Sequence, residues 1–409
     1  MKIPTRARRR AAAATTVALV CSVALVVPQT AEAAAPCSMK VKTSLKRTVN
    51  LAGGASMKRY VAHVNDPAST KYDQSAHVIL TSLPVGVAPR LTHVALGSRA
   101  GTGTMVTSQF PRALAGVNGD FFTQPTIRSK SVTLARGPMV ADGVVLRGSH
   151  DRMRTVGVTR SGLPFAGPFG IRGWVRLGTD PTMPVNAVNW ESLAARGVTI
   201  YTPDWSRSSS APRPAGAAEW VIDASKVIKQ VRTSSINAGK LGAGVSDGTR
   251  VVAFPPDLAA SAGLAKAGDH VSVSVRQTTK TGAALRTALG RGLTLVDNGV
   301  AAPLDCASYV TSARPRTVVG WTADGQWRVL TVPGTEFVGV GLRVGGFGIP
   351  EVANVAEKLG LVNAYELDGG GSTTLYTRKA STWTRHDLWG VTGGTYERPV
   401  TNGLAFLPN

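Results

Sequence analysis

The sequence predicts a β-rich α+β fold built from mixed sheets, with few helices and an inserted subdomain. Glycine supplies 45 of the 409 residues and proline another 24, a composition typical of many turns between short strands. Hydrophobic residues make up 43% of the chain and charged residues 17%, which is enough for a packed core. Asp-Gly pairs lie between β-prone runs at 142–143 and 324–325, a strong hairpin signal. These observations exclude a helical bundle and a disordered polycation.

Residues 1–35 are predicted to be a secretory signal peptide. Four arginines between positions 6 and 10 precede an apolar run from Thr16 to Val27, and small residues at 31–35 form a cleavage site. The run is shorter than the ~20 residues that span a bilayer, so no stable membrane span is expected. The protein is therefore predicted to be secreted, and the export route, Sec or twin-arginine, stays open.

The chain is strongly basic, with a formal net charge of +22 and a pI near 10.6. Removing the leader takes away five basic residues and one acidic residue, which leaves +18. Such a field attracts acidic partners, for example a wall polymer. A specific nucleic-acid partner is not expected, because no recognition motif is present and aromatic residues are only 6%.

After the leader, residues 36–56 are predicted to be an N-terminal extension and residues 57–409 the main domain, with an inserted subdomain at about 160–278. Only Cys37 and Cys306 remain once the leader is removed. An even number of cysteines in an oxidising compartment predicts one disulfide between them, and two free thiols are the alternative.

Several elements are predicted from local patterns. Alternation and β-branched residues predict strands in the main domain, and glycine, proline and apolar periodicity predict two helices. The second helix begins at a proline, which suits a first helical position, and ends before Gly360. The predicted strands are Tyr60–Val64, His77–Leu83, Thr92–Leu96 and Leu361–Leu367, and the predicted helices are Pro256–Ala267 and Pro350–Leu359. A Pro- and Ser-rich loop is predicted at Pro203–Pro214.

The densest chemistry follows the last of these strands. Asp368 leads into three glycines at 369–371, then Ser372 and Thr373. Three glycines remove every Cβ and leave backbone N–H groups free to hold an anion. A plain tight turn is the alternative, and a phosphate-binding P-loop is excluded because no Gly-Lys-Ser/Thr follows.

Three other stretches carry polar residues suited to an anionic or sugar ligand. Asn118 and Asp120 flank a glycine before two phenylalanines, with an Asx turn as the alternative. Arg316 and Arg398 each lie beside a proline and suit bidentate contacts with phosphate, although an isolated arginine is more often a solvated surface residue. The six histidines lack metal-ligand spacing. Residues 244–248 match a nucleophile-elbow pattern, but a β-prone run follows where a helix is needed.

Taken in order, the motifs resemble the phosphodiester glycosidase family. The resemblance spans about 115–407, and the segment 160–278 resembles the longer insertion of secreted bacterial members. It implies an α+β catalytic domain that hydrolyses a sugar-1-phosphodiester, such as an N-acetylglucosamine-1-phosphodiester, into a sugar and a phosphomonoester. A non-catalytic binding module for anionic wall polysaccharide is the alternative function.

On that resemblance, roles follow from the chemistry of an oxocarbenium-like transition state with a phosphate leaving group. Asp368 is predicted as nucleophile or general base, Asp120 as the second carboxylate, and Glu351 as a helix-borne reserve. Glu366 is kept as a supporting carboxylate, because it lies one step back inside the strand.

The predicted substrate-binding residues surround these carboxylates. Phosphate contacts are assigned to two arginines, the glycine amides and neighbouring hydroxyls, and sugar hydroxyls are assigned to two asparagines. No cofactor is required, although Asp120, Asn118 and Asp368 form an alternative set of oxygen ligands for Ca²⁺. The substrate-binding set is Asn118, Arg316, Thr317, Gly369, Gly370, Gly371, Ser372, Thr373, Arg398 and Asn402.

Overall fold

The computed structural model describes residues 39–65, 73–127, 130–194, 196–205, 213–234, 248–304, 312–336, 343–386 and 397–408. The predicted signal peptide, the predicted disulfide between Cys37 and Cys306, most of the predicted loop Pro203–Pro214, and residues 244–247 lie outside these ranges. None of the helices within them is both long enough and apolar enough to span a membrane.

Strands dominate the described residues, and helices are few. The helices are α1 (Thr102–Gln109), α2 (Ala259–Gly263) and α3 (Ile349–Lys358), with 3₁₀ turns at Ala52–Gly54, Pro256–Leu258 and Gly370–Ser372. The first ten strands are β1 (Lys40–Asn50), β2 (Ser56–Asn65), β3 (Asp73–Ser82), β4 (Val87–His93), β5 (Ala115–Asn118), β6 (Phe122–Thr123), β7 (Thr126–Ile127), β8 (Lys130–Ser131), β9 (Leu134–Ala135) and β10 (Met139–Ala141). The next ten are β11 (Val144–Ser149), β12 (Met153–Thr159), β13 (Pro164–Leu177), β14 (Met183–Val188), β15 (Val198–Tyr201), β16 (Ala218–Asp223), β17 (Ile228–Arg232), β18 (Thr249–Phe254), β19 (Val271–Thr279) and β20 (Leu285–Gly290). The last ten are β21 (Thr294–Asp297), β22 (Val300–Ala301), β23 (Arg316–Trp321), β24 (Trp327–Val332), β25 (Thr335–Glu336), β26 (Arg343–Val344), β27 (Asn363–Glu366), β28 (Leu375–Lys379), β29 (Thr382–Arg385) and β30 (Asn402–Pro408).

Three large sheets organise these strands, which confirms the β-rich α+β prediction. An eight-stranded sheet has the order β1-β2-β3-β24-β23-β27-β21-β22, and a five-stranded sheet has the order β29-β28-β5-β30-β4. An eleven-stranded sheet runs β17-β16-β18-β15-β14-β11-β10-β20-β12-β13-β19. An additional pairing of β13 with β14 closes six of its strands into a ring. All strands between residues 160 and 278 belong to this third sheet.

The local predictions agree with the structure where sequence signals are strong. Both Asp-Gly pairs occupy hairpin turns, between β10 and β11 and between β23 and β24. The long predicted helix is α3, with Pro350 in its first turn and an apolar face packed on the eight-stranded sheet. Two predictions are corrected: the strand at Thr92–Leu96 ends at His93, and the helix at Pro256–Ala267 is a 3₁₀ turn followed by the five-residue α2.

Hydrogen bonds join the ends of strands from different sheets and thereby position the polar motifs. The Asp368 N–H, just after β27, donates to the Gly119 carbonyl at 2.9 Å. The Gly119 N–H, just after β5, donates to the carbonyl of Asn402 at the start of β30 at 3.0 Å. Segments about 250 residues apart in the chain therefore meet at one place.

Candidate active site

A cavity of about 440 Å³ opens where β5, β20 and β27 end. Two carboxylates, three arginines and three glycines contribute to its wall. We call it the carboxylate cavity, and its lining residues are Asp120, Phe121, Arg136, Gly137, Met153, Arg154, Gly290, Arg291, Gly292, Leu293 and Glu366.

Asp120 is buried in this wall, with 3% of its surface exposed. Its Oδ2 accepts a hydrogen bond from the Gly137 N–H at 2.6 Å, and its own N–H donates to Asn402 Oδ1 at 2.8 Å. Burial, together with the charge of Asp368, raises the pKa of Asp120 to about 7, although the Gly137 N–H and Arg147 oppose the shift. Asp120 therefore holds a proton up to near-neutral pH.

Glycines make room for the two carboxylates. A Cβ on Gly290 would overlap Asp120 Oδ2 and lie 2.7 Å from the Gly137 Cα. A Cβ on Gly292 would lie 2.5 Å from Glu366 Oε2. No side chain fits at either position without moving a carboxylate.

Glu366 is also buried, with 3% of its surface exposed. Its Oε1 lies 3.4 Å from Arg316 Nη1, and its Oε2 accepts a hydrogen bond from the Leu293 N–H at 3.3 Å. Burial raises the pKa of Glu366, whereas Arg316 and the Leu293 N–H oppose the shift. Glu366 is predicted only as a supporting carboxylate, but in the structure Glu366 lies directly in the wall of the cavity.

Arg316, which the motifs predict to contact phosphate, is engaged by protein groups in the structure. Arg316 is buried, and besides the Glu366 pair its Nε donates to the Phe347 carbonyl at 3.0 Å and its Nη2 to the Ser312 carbonyl at 2.9 Å. All three guanidinium nitrogens thus have protein partners, and Arg316 holds Glu366 in place.

Asp368 is half-buried and lies near both wall carboxylates. Its negative charge raises the pKa of Asp120 and of Glu366. Its Oδ1 accepts a hydrogen bond from the Gly369 N–H at 3.0 Å. A neighbouring negative charge raises the pKa of a carboxyl group because it disfavours a second negative charge close by.

The glycine motif is more constrained than the sequence predicts. Besides the Gly369 N–H, which is bound to Asp368, the Gly370 N–H donates to the Pro315 carbonyl at 2.8 Å. Two of the three predicted anion-binding amides are therefore committed to the protein. The hydroxyls of Ser372 and Thr373 are buried and have no hydrogen-bond partner among the described residues.

Asn118, which is predicted to bind sugar, connects strands in the structure. Its Oδ1 accepts hydrogen bonds from Thr317 Oγ1 at 2.8 Å and the Thr374 N–H at 3.0 Å, and its Nδ2 donates to the Asp368 carbonyl at 2.7 Å. Asn118 and Thr317 are fully buried. Asn402 differs, because its buried Nδ2 has no hydrogen-bond partner in the part of the chain that the structure describes.

Arg398 lies beside the glycine motif rather than in the lining of the carboxylate cavity. Its guanidinium carbon is 5.0 Å from the centre of the Phe122 ring, and a Cβ on Gly371 would lie 3.5 Å from its Cδ. The neighbouring Glu397 accepts hydrogen bonds from the Gly103 N–H and from the Tyr376 hydroxyl, both at 3.0 Å, which anchors this segment to α1 and β28.

Glu351 lies in the first turn of α3 and is 1% exposed. Neither of its carboxylate oxygens has a hydrogen-bond partner among the described residues. Burial raises the pKa of Glu351, and the charge of Arg316 opposes the shift. Glu351 is not among the described lining residues of the carboxylate cavity, although the charge of Arg316 acts on it.

Sequence reasoning missed three arginines of the cavity. Arg136 and Arg154 are exposed and Arg291 is half-buried, where its guanidinium lies 4.4 Å from the Tyr365 ring centre. A local signal was available, because Gly137 follows Arg136 and Gly290 and Gly292 flank Arg291. Arg154 has no such signal and reaches the cavity through strand pairing alone.

The described residues do not form a cluster of side chains suited to a metal ion. Among the described ranges, no three His, Cys, Asp or Glu side chains are grouped so that they hold a metal ion. Both lone pairs of Asn118 Oδ1 accept hydrogen bonds, so the Ca²⁺ set with Asp120 and Asp368 lacks one of its three ligands.

The fold and this cavity define a class: a β-rich enzyme with paired carboxylates and arginines arranged for an anionic substrate. Residues 216–407 match the phosphodiester glycosidase family. The chain is thus similar to that family, as the motifs predict, and it is a hydrolase acting on phosphodiester-linked sugars. The matched segment includes Arg291, Glu366 and Asp368, whereas Asp120 precedes it.

Solved structures show the same fold at low sequence identity. A hypothetical protein from Synechocystis is 20% identical with a TM-score of 0.65, and the match covers 90% of this chain and 68% of that one. A candidate exported protein from Burkholderia pseudomallei is 17% identical with a TM-score of 0.64, covering 92% of this chain and 98% of that one.

A more distant structure is the zebrafish N-acetylglucosamine-1-phosphodiester α-N-acetylglucosaminidase catalytic domain, auto-inhibited by its pro-peptide. It is 13% identical with a TM-score of 0.44, covering 90% of this chain and 88% of that one. No curated protein sequence gives a significant match.

Proposed function

We propose that the carboxylate cavity hydrolyses the glycosyl–phosphate bond of a sugar-1-phosphodiester, of the N-acetylglucosamine-1-phosphodiester kind, in a cell-wall or extracellular polymer. The observation that carries the proposal is the presence of two buried carboxylates, Asp120 and Glu366, in one cavity with three arginines. Arginines suit the phosphate, and carboxylates suit the positive charge that develops on the sugar ring.

Asp120 is the proposed proton donor. In the reaction, water adds its oxygen to the anomeric carbon while the bond from that carbon to the phosphate oxygen breaks. A carboxyl group with a pKa of about 7 is protonated at mildly acidic pH and gives its proton to the departing oxygen. Because phosphate is already a good leaving group, this assistance is moderate rather than decisive.

Asp368 is the proposed nucleophile or general base. It is half-buried and follows Glu366 of the cavity wall by two residues, and its negative charge helps to keep Asp120 protonated. As a general base it takes a proton from the attacking water, and as a nucleophile it forms a glycosyl ester that water then cleaves. Glu366, held by Arg316, presents its second oxygen to the cavity and stabilises the developing positive charge.

Phosphate binding is proposed for Arg136, Arg154 and Arg291 in the lining, with Arg398, Ser372 and Thr373 at the glycine motif. Asn402 Nδ2 is the proposed donor to a sugar oxygen, because it is a buried donor without a described partner. No cofactor is needed for these steps. The predicted signal peptide supports secretion, so the protein would meet such polymers outside the cell.

Hydrolysis of an α-N-acetylglucosamine-1-phosphodiester tests the proposal. We expect stoichiometric release of N-acetylglucosamine and a phosphomonoester, and we expect Asp368→Asn to lower kcat/KM by roughly 10³-fold. Asp180→Asn, in an exposed turn, is the matched control and should retain full activity. Unchanged turnover in Asp368→Asn removes Asp368 from the mechanism, and absence of product across α- and β-linked sugar phosphodiesters removes the proposed reaction.

A further inference from the structure

A second cavity of about 470 Å³ lies in the eleven-stranded sheet and shares no lining residue with the first. Its floor is apolar, formed by Val145, Val188, Ile200, Val273 and Val275. Its lining also contains Arg160, Arg250 and Arg276, which are all exposed. We call it the arginine cavity.

Among the described residues, the lining of the arginine cavity contains positive charge without a matching negative charge. None of the described lining residues is Asp or Glu. None of its three arginines forms an ion pair within the described residues, although several other arginines of the chain do. Gln277, the one amide in the lining, is committed to the Gly143 carbonyl and to both backbone groups of Leu285.

The side chains of two arginines are placed toward this cavity by the backbone. Gly143 has φ +83°, and a Cβ there would lie 2.8 Å from Arg160 Nη2, so the guanidinium covers this lining glycine. Arg250 lies on the same face of β18 as Val252 and Phe254, and these two residues pack in the same apolar cluster as Val188 and Ile200 of the floor.

The two cavities lie at opposite ends of the same two strands. Arg154 at the start of β12 lines the carboxylate cavity, and Arg160 just after its end lines the arginine cavity. On β20 the arrangement is reversed, with Gly290 in the first lining and Ala284 in the second. Six residues of extended strand separate the cavities by about 20 Å.

From this geometry we infer that the arginine cavity binds an anionic repeat unit of the polymer whose phosphodiester is cut in the carboxylate cavity. The ligand class is a sugar phosphate within a phosphodiester-linked chain, because the arginines suit phosphate and the valine and isoleucine floor suits the apolar face of a sugar. The identity of the polymer rests on the proposed function. The existence of an anion-binding site in the arginine cavity does not depend on that function. Its effect is multivalent binding, since a chain held at one cavity is presented at the other.

Binding to a soluble phosphodiester-linked polysaccharide, measured by calorimetry at fixed ionic strength, tests the inference. All proteins carry Asp368→Asn so that the polymer stays intact. We expect Arg160→Ala combined with Arg250→Ala to raise Kd about 100-fold, roughly tenfold for each lost charge-assisted contact. Arg112→Ala, an exposed arginine that lines neither cavity, should change Kd less than twofold.

Kinetics on otherwise wild-type protein separates this inference from the proposed function. The double variant should hydrolyse a short sugar-1-phosphodiester at the wild-type rate and show a raised KM only for polymer. Unchanged polymer binding in the double variant overturns the inference, and so does equal binding of polygalacturonate or neutral dextran, because either shows that phosphate is not what is recognised. If no sugar phosphodiester is hydrolysed, the proposed function fails while the binding measurement still decides the arginine cavity.

Discussion

The carboxylate cavity and the arginine cavity have similar volumes, about 440 and 470 Å³, and each is lined by three arginines. They differ in acidic residues: Asp120 and Glu366 line the first, and no carboxylate lines the second among the residues that the structure describes. Arginines attract an anion in both places, but acid–base chemistry on a glycosyl bond needs carboxylates. The first cavity therefore has groups for both anion binding and bond cleavage, whereas the second has groups for anion binding.

Their glycines differ in the same direction. Gly290 and Gly292 have no room for a Cβ because carboxylate oxygens occupy that space, whereas Gly282 at the arginine cavity has φ +73° and open space around it. At the first cavity the glycines leave space for the carboxylates, and at the second Gly282 adopts the positive φ of a turn. Substitutions at the first cavity should thus act on catalysis.

After the loss expected for Asp368→Asn, the next largest effect is expected from Asp120→Asn. Loss of the proton donor should lower kcat by about 10²-fold, the lower end for general acids because phosphate leaves readily. In the wild type, kcat/KM should fall as pH rises through about 7, since Asp120 then loses its proton. Steady-state kinetics between pH 5 and 9 measures both. A flat profile, or wild-type turnover in the variant, contradicts the role.

Gly290→Ala should impair the same step without altering any charge. The added methyl group displaces Asp120 Oδ2, and misplacement of a catalytic group by about 1 Å costs up to ~10²-fold in rate. Gly263→Ala is the matched control, because nothing lies within 4 Å of a Cβ there. Equal activity of the two variants would mean that the position of Asp120 is immaterial to the reaction.

Arg154→Ala should weaken substrate binding in the carboxylate cavity alone. Arg154 is exposed and lines only the carboxylate cavity, so the fold should survive its removal. We expect KM for a short sugar-1-phosphodiester to rise about tenfold, the value of one charge-assisted contact. The double variant of the arginine cavity should leave this KM unchanged. If KM for this substrate rose in the double variant and not in Arg154→Ala, the short substrate would bind in the arginine cavity instead.

A further effect is on stability rather than on activity. The pKa of Asp120 is raised from about 4 in the unfolded chain to about 7 in the fold, so the folded state resists ionisation. Its contribution is fully present below pH ~4 and is lost as pH rises to ~7, by up to about 1.4 kcal/mol per pH unit. Denaturant unfolding at pH 5 and pH 8 should show Asp120→Asn gaining on the wild type at the higher pH. An equal difference at both values would place the Asp120 pKa near its ordinary range.

The sequence predicts the elements whose signals are local. The turns at Asp142 and Asp324 and the helix opened by Pro350 are such elements, because turn chemistry and apolar periodicity act over a few residues. The strand predicted at Thr92–Leu96 ends early, since its pairing with β30 stops at His93. Pairing between strands that lie some 300 residues apart produces no pattern in the local sequence.

The candidate site divides in the same way. Asp120 and Asp368 stand out because each lies beside glycines, and the structure brings both to one place. Arg316 and Asn118 look equally exposed in the sequence, yet they are buried and satisfied by partners far along the chain. Arg154 joins the cavity only because β12 pairs with β20. Residue type reveals chemistry, but which groups face a ligand depends on tertiary packing.

Hydrolysis in water enriched in ¹⁸O tests the central claim most directly. If the carboxylates act at the anomeric carbon, the new oxygen enters the sugar, and the phosphomonoester keeps only its original oxygens. Mass spectrometry of the phosphomonoester should therefore show no added ¹⁸O. One atom of ¹⁸O in the phosphomonoester would mean that the phosphorus–oxygen bond is cut, and the protein would be a phosphodiesterase rather than a glycosidase.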